Sequence, residues 1–373
     1  MSRHPRWVLA VPVLLLLSAC ATSSPAPSAS PDESAASAPA GAEHAVTFTS
    51  GPDSLPGTYL RAAGGSALHP AALIISGSGP TDRDGNDVQL PHLDTNLNLA
   101  KALAADGVDS LRYDKLGSGR AGLGAHPGGT GIDFDLFADE VRQAFRALAA
   151  QPGVDPDRLL VVGHSEGALF ALSLATELHG TPNAPRALIL AAPPGSRYLD
   201  LLTTQAVAGY RQQQAAGRIS QSAADTYVNQ LQQAVTTIRA TGKAPAGLAD
   251  PGLAALLTPV NVAFLAQADR LDPAALAHGL GPDQPALILH GTKDTQVTDA
   301  DIHRLMGGFA DDQAALAVEV PDADHLFKVV TGTPAPAVDY ANAARPFAPQ
   351  VQQHLGPFLQ SADLATGRPS ATR

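Results

Sequence analysis

The sequence predicts an α/β fold, a mostly parallel doubly wound sheet with a helical cap insertion, and three observations carry that prediction. Continuous apolar runs at 71–75, 187–192 and 286–290 have no polar face, the pattern of strands buried on both sides of a parallel sheet. Helical segments alternate with these runs, and such β–α alternation implies parallel strands joined by crossover helices. Across 196–282 the alternation stops, and only helical, Gln-rich segments remain.

In chain order, the first element is an address. Arg3 and Arg6 precede the apolar run Val8 to Leu17, which ends in Ser18-Ala19-Cys20. A basic start, a short apolar stretch and small residues form a secretory signal, and the stretch is too short to span a bilayer. Leu17-Ser18-Ala19-Cys20 resembles a bacterial lipobox, in which the cysteine thiol is lipidated and becomes the new N-terminus. Ala19-Cys20-Ala21 also fits ordinary small-x-small cleavage, which would discard the cysteine. The lipobox is favoured because the sole cysteine of the chain sits where that chemistry requires it. Residue 21 is Ala, not Asp, which in the lipoprotein pattern points to the periplasmic face of an outer membrane, or to the cell surface where no outer membrane exists. Mass spectrometry of the mature N-terminus decides between the two; an unmodified peptide starting at Thr22 would sink the lipid anchor. Residues 21–43 are Ala, Ser and Pro with little else and bury too little surface to offset ordering entropy, so they read as a flexible tether.

From residue 44 the pattern becomes β and α. Val46-Thr47-Phe48-Thr49 and 57–62 read as an opening hairpin, and 71–75 as a buried strand. A helix at 97–105, stopped by Gly107, leads to a strand at 108–113; a helix at 133–150 leads to a strand at 158–162. A helix at 165–178 precedes the strand at 187–192. Within the insertion, helices are expected at 199–208, 223–238 and 260–268. Strands resume at 286–290 and 315–320, and 361–373 is polar and expected to fray. The organisation is therefore a signal (1–20), a tether (21–43), an α/β core (44–195 with 283–360), a cap insertion (196–282) and a tail (361–373).

Composition removes several functions. With 35 acidic against 24 basic residues, the chain lacks the clustered Lys/Arg that nucleic acid requires. One cysteine excludes an internal disulfide and a cysteine-built zinc site. Twelve histidines show no local metal-ligand spacing, so neither metal nor cofactor is expected.

The chemistry lies in three strand ends. Leu159 to Leu169 runs through an apolar strand, Gly163-His164-Ser165-Glu166-Gly167 and an apolar helix. A Gly-x-Ser-x-Gly turn between strand and helix lifts the serine Oγ above the sheet, and the glycines admit close neighbours. Asp294 lies just past the strand 286–290, and His325 just past the strand 315–320. Successive parallel strands end on one edge, so Ser165, Asp294 and His325 can converge as nucleophile, orienting acid and base. Asp299, Asp301, Asp322 and Asp324 are rival acids; His164 and His290 read as packing or supporting residues. Two backbone N–H groups must face the tetrahedral oxyanion. One is expected from Glu166, which follows the nucleophile, and the other from Ser78 in the loop Ser76-Gly77-Ser78-Gly79-Pro80.

On these residues the chain resembles serine hydrolases of the α/β-hydrolase superfamily. In particular it is similar to bacterial esterases with a Gly-Ser-Gly-Pro-Thr-Asp-Arg-Asp-Gly-Asn loop, here Gly77 to Asn86, and an Arg-Tyr-Asp-Lys-x-Gly-x-Gly loop, here Arg112 to Gly119. Leu116 departs from that pattern, in which a second basic residue often follows the lysine. The resemblance covers about residues 45 to 360 and implies hydrolysis of a small carboxylic ester through an acyl-enzyme. A peptidase, amidase or thioesterase on the same triad is the alternative within enzymes. An anchored binding protein with an inactive triad is the alternative outside them. The acidic loop with Asp82, Arg83, Asp84 and Asp87 reads as a hydrogen-bonded cluster in preference to a cation site, because a calcium loop needs further ligands.

Overall fold

The computed structural model describes residues 41–64, 68–280, 284–310, 315–332, 340, 342 and 344–365. The signal, Cys20 and all but the end of the tether lie outside them.

The opening hairpin is β1 (Glu43–Ser50) and β2 (Asp53–Leu60), paired antiparallel. There follow β3 (His69–Ile75), α1 (Thr95–Ala105), β4 (Asp109–Tyr113), α2 (Phe134–Ala149), β5 (Val154–His164), α3 (Glu166–Leu178) and β6 (Ala187–Ala191). The insertion contributes α4 (Tyr198–Ala215), α5 (Gln221–Thr241), α6 (Pro251–Leu256), α7 (Pro259–Ala268) and α8 (Pro273–His278). The chain closes with β7 (Ala286–Gly291), α9 (Asp299–Met306), β8 (Ala315–Val320) and α10 (Gln350–Ser361). One eight-stranded sheet results, in the order β1-β2-β4-β3-β5-β6-β7-β8, parallel from β4 onward. This is the mostly parallel, doubly wound sheet with a helical insertion that the alternation predicts.

The period of two in each strand divides the core into two layers. Leu73 and Ile75, Val161, and Leu188 and Leu190 face α2, α3 and the insertion. Their neighbours Ala72 and Ile74, Leu160 and Val162, and Ile189 face α1 and α10. Strands with apolar residues at every position are what two covered faces demand. The outermost strand β8 is exposed at Leu316, Ala317 and Glu319, and ends the sheet.

Three helices escaped the sequence reading inside or beside the insertion, and for one reason. The helices α6, α8 and α9 span six to eight residues, too short to display an apolar period. A different signal marks the first two: Asp250-Pro251 and Asp272-Pro273 place a capping carboxylate before a proline at the first helical position, as Thr258-Pro259 does for α7. The helix α10 was also unforeseen. It packs Leu355, Phe358 and Leu359 on the sheet, and Ala362 and Leu364 beyond it are buried in the same layer. The tail expected to fray from 361 is therefore held through residue 365, with Arg158 Nε donating to the Asp363 carbonyl at 3.0 Å; residues 366–373 lie outside the described set.

The insertion leaves the sheet after β6 and returns at β7. Buried Asp269 organises it, accepting from Arg197 at 2.9 Å, from Arg239 at 2.8 Å and from the Leu199 amide at 2.9 Å, which joins α4, α5 and α7. Gln267 of α7 then clasps the core: its Oε1 accepts from the Phe134 amide at 2.8 Å and its Nε2 donates to Asp133 at 3.1 Å. No helix among the described residues is long and apolar enough to cross a membrane.

Candidate active site

Ser165 stands alone between the end of β5 and the start of α3, with φ 53° and ψ −122°. Positive φ in a residue bearing a Cβ costs about 1–3 kcal/mol and persists only where the surroundings impose it. Here they do. Gly163 has the Gly167 carbonyl and Ala168 packed where a side chain would be, and Gly167 sits against the Ile75 and Ser76 carbonyls of the β3 end. The two glycines thus let strand and helix close on each other, and the turn between them has one way to go. The N-terminus of α3 lies under Ser165, so its free N–H groups favour negative charge there.

Asp294 and His325 meet at the same edge. Asp294 Oδ1 accepts from the Gln296 and Val297 amides at 2.7 and 3.0 Å, which leaves Oδ2 to accept from His325 Nδ1 at 2.8 Å. Both side chains are buried, His325 5% and Asp294 0% exposed, so this pair is shielded from water. Burial alone would raise the Asp294 carboxyl, but the facing imidazole and the two amides outweigh it and hold it below the usual carboxylate range. Burial would likewise lower His325, and the Asp294 charge outweighs it and raises the imidazole. The turn carrying His325 is fastened by Asp324, which accepts from the Leu326 and Lys328 amides and pairs with Arg345 at 2.7 Å.

His164, beside Ser165, links the turn of Ser165 to the turn of His325. Its Nε2 lies 2.9 Å from the His325 carbonyl oxygen, and the two rings stand 5.0 Å apart. Burial, then the neighbouring His325, depress His164 to about 3, so it is a neutral N–H donor to that carbonyl and no rival base. His290 is turned toward Asp299 and the Val297 carbonyl. Of the rival acids, Asp301 caps α9 and accepts from Ser196, Asp324 holds its own turn, and Asp299 faces His290, while Asp322 is exposed in the turn after β8 with its amide donating to Thr292 Oγ1 at 2.9 Å.

Ser78 follows Gly77 in the loop after β3. A Cβ built on Gly77 would stand 3.3 Å from the Ser165 Cβ, so this stretch of backbone borders Ser165. The loop is braced from within: Ser76 Oγ donates to the Asp82 carbonyl and Thr81 Oγ1 to the Ser78 carbonyl. The acidic segment beyond it is a hydrogen-bonded cluster. Asp82 accepts from the Asp84 and Asn86 amides, Arg83 makes a two-toothed contact with Asp114, and Asp84 pairs with Arg112. No group of three or more potential metal ligands occurs among the described residues.

Beneath the elbow the side chains of Lys115, Glu166 and Tyr198 form a buried polar group to which the sequence assigns no role. Lys115 Nζ donates to the Gly77 carbonyl at 2.6 Å and lies 3.6 Å from Glu166 Oε1; Tyr198 OH, from the first residue of α4, donates to Glu166 Oε2. Nearby Glu140 accepts from the Leu116 amide and is pushed by burial up to about 8, against the pull of Lys115. Lys115 stands two residues past the all-buried strand β4, and its place in the Arg112 to Gly119 loop that continues that strand was the available signal.

A protein-family model described as "Serine aminopeptidase, S33", of the Hydrolase_4 type, matches residues 91–328. No sequence among the curated proteins matches. Among solved structures, a proline iminopeptidase of Mycobacterium smegmatis superimposes with a TM-score of 0.52 at 17% identity, covering 86% of this chain and 99% of that one. An esterase of Pyrococcus furiosus gives 0.52 at 14% identity over 86% and 91% of the two chains. Est1E of Butyrivibrio proteoclasticus, solved with ferulic acid, gives 0.51 at 13% identity over 85% and 99%. At such identities these three structures speak to the fold.

Proposed function

The chain belongs to the serine aminopeptidase S33 family and is a hydrolase, and we propose that within this family it cleaves carboxylic esters through a Ser165-His325-Asp294 triad. The observation that carries the reading is the buried 2.8 Å bond from His325 Nδ1 to Asp294 at the sheet edge where Ser165 is presented. In this mechanism His325 Nε2 takes the Oγ proton as Ser165 attacks the ester carbonyl. The Ser78 and Glu166 amides hold the oxyanion, and collapse expels the alcohol, which carries that proton away. His325 then draws a proton from water, which attacks the acyl-enzyme, and returns that proton to Ser165 Oγ as the acid is released. Asp294 stays ionised throughout and holds the imidazole in the tautomer that leaves Nε2 free.

Aminopeptidase activity is the second reading, favoured by the family's own description. An aminopeptidase must hold a substrate ammonium group, and a carboxylate facing the pocket is the natural partner. Every carboxylate of the described insertion is already engaged: Asp200 and Asp269 with Arg239, Asp225 with Arg211, Asp250 with Tyr210 and Asp272 with Arg304. That favours an uncharged acyl group over an N-terminal amine. A panel of nitrophenyl acyl esters against aminoacyl nitroanilides separates the two: ester turnover alone is expected, and preferential cleavage of the anilides would reverse the assignment. The export address belongs to the same proposal, with a lipid on Cys20 and the 21–43 tether holding the enzyme at a membrane.

The raised His325 sets a pH dependence. The base must be neutral, so kcat/KM should fall as pH drops through an imidazole pKa above the ordinary value near 6.5. Asp294→Asn removes the charge that raises it and misorients the ring; the acid limb should move down and kcat should fall about 10⁴-fold. An acid limb unmoved in Asp294→Asn would show that another group titrates.

A further inference from the structure

We propose that Lys115 is a positioning residue that aligns both backbone donors of the oxyanion hole through its contacts with the Gly77 carbonyl and the Glu166 carboxylate. This rests on Ser165 being the nucleophile and adds a residue to which the triad itself gives no role.

The first arm of the argument is peptide geometry. Lys115 Nζ lies 2.6 Å from the Gly77 carbonyl oxygen. A trans peptide is planar with its C=O and N–H pointing opposite ways, so fixing the Gly77 oxygen fixes the direction of the Ser78 N–H, away from the ammonium. The same Gly77 borders Ser165, 3.3 Å from serine Cβ to a Cβ built on the glycine. An ammonium on the carbonyl also draws charge through the amide and strengthens the opposite N–H as a donor, as in any polarised hydrogen-bond chain.

The second arm is the other donor. Glu166 supplies its N–H from the first position of α3, while its side chain turns down to lie 3.6 Å from Lys115 Nζ. One buried cation therefore touches the residues that frame the hole on both sides, one by its carbonyl and one by its carboxylate. Tyr198 closes the chain by donating to the other Glu166 oxygen from α4, so the cap helix is seated on the same group. Phe137 lies 5.6 Å from Nζ with its ring face toward it and keeps water from that side.

A lysine that merely filled the core beneath the elbow would have the same neighbours, so the test must read the hole and not the fold alone. Fluorophosphonate labelling does this without knowledge of the natural substrate. Ser165 Oγ bonds to phosphorus, fluoride leaves, the serine proton passes to His325, and the phosphoryl oxygen gathers charge in the hole. Lys115→Met should label about 10- to 100-fold more slowly, the effect of disorienting a donor as opposed to deleting one. On the preferred ester, kcat should fall by a similar factor with KM within about twofold, the mark of an interaction made in the transition state.

Because Lys115→Met strands a buried carboxylate, the double variant Lys115→Met/Glu166→Gln removes that charge as well and is compared with Glu166→Gln. Slower labelling of the folded double variant supports the proposal. Labelling at the rate of Glu166→Gln, or a raised KM with kcat intact, overturns it and leaves the nucleophile standing. Failure of the native protein to label at Ser165 would remove the nucleophile, and this inference with it.

Discussion

Ser165→Ala should lower ester turnover by about 10⁴-fold or more while leaving the fold intact. The size follows from what one atom does in the proposed mechanism: the Oγ would be the group acylated, and without it only the oxyanion donors and binding would act on a water attack. The fold should survive because alanine keeps the Cβ, so the strained turn at φ 53° is neither relieved nor worsened. Circular dichroism and thermal melting should match the native protein, and fluorophosphonate should no longer label it. Turnover persisting at the native rate would mean that a different nucleophile acts. A native protein that labels at Ser165 but hydrolyses no ester of the panel would keep the nucleophile and sink only the substrate class.

Gly167→Ala should damage both the fold and the site. Gly167 has an ordinary negative φ, so conformational freedom is not what it supplies; space is. A methyl built there would run into the Ile75 carbonyl and stand 2.9 Å from the Ser76 carbonyl oxygen, both backbone atoms of the β3 end that cannot rotate aside. The start of α3 would have to lift off β3, at a cost of about 3 kcal/mol, and carry the Glu166 amide away from the nucleophile. Gly180→Ala is the comparison. Nothing lies within 4 Å of a Cβ there, but its φ is +72°, so only the left-handed penalty of about 1 kcal/mol applies. Urea unfolding of the two variants should rank them in that order, and the Gly167 variant should lose labelling as well as stability. Equal stability of Gly167→Ala and the native protein would show that the elbow does not need the close approach of α3 to β3.

Much of the sheet was legible in the sequence because its signal is local. Strands buried on both faces must be apolar along their buried length, and β3, β6, β7 and the second half of β5 carry that requirement in their own residues. The helices α2 and α3 were legible for the same reason, α2 through an apolar stripe and α3 through the glycine-flanked serine that precedes it. The short helices were not, since six residues contain less than two turns and define no face. The packing of Ala362 and Leu364 was not either, because it depends on a sheet face assembled from residues far away in the chain.

By itself the sequence determined the parallel sheet, the turn that carries Ser165, and the order Ser165, Asp294, His325 along the chain. These follow from periodicity and from turn chemistry spanning a few residues. Only the tertiary structure decided which acid faces the base: Asp294 has two amides ordering one oxygen and His325 on the other, while Asp299 and Asp301 are committed to His290 and to the α9 cap. Only the tertiary structure, too, brought Lys115 onto the Gly77 carbonyl and beside Glu166, and seated Tyr198 of the cap against that carboxylate. The reason is reach. A hydrogen bond between residues 38 positions apart leaves no trace in any window of the sequence, and exists because parallel strands bring their ends to a common edge.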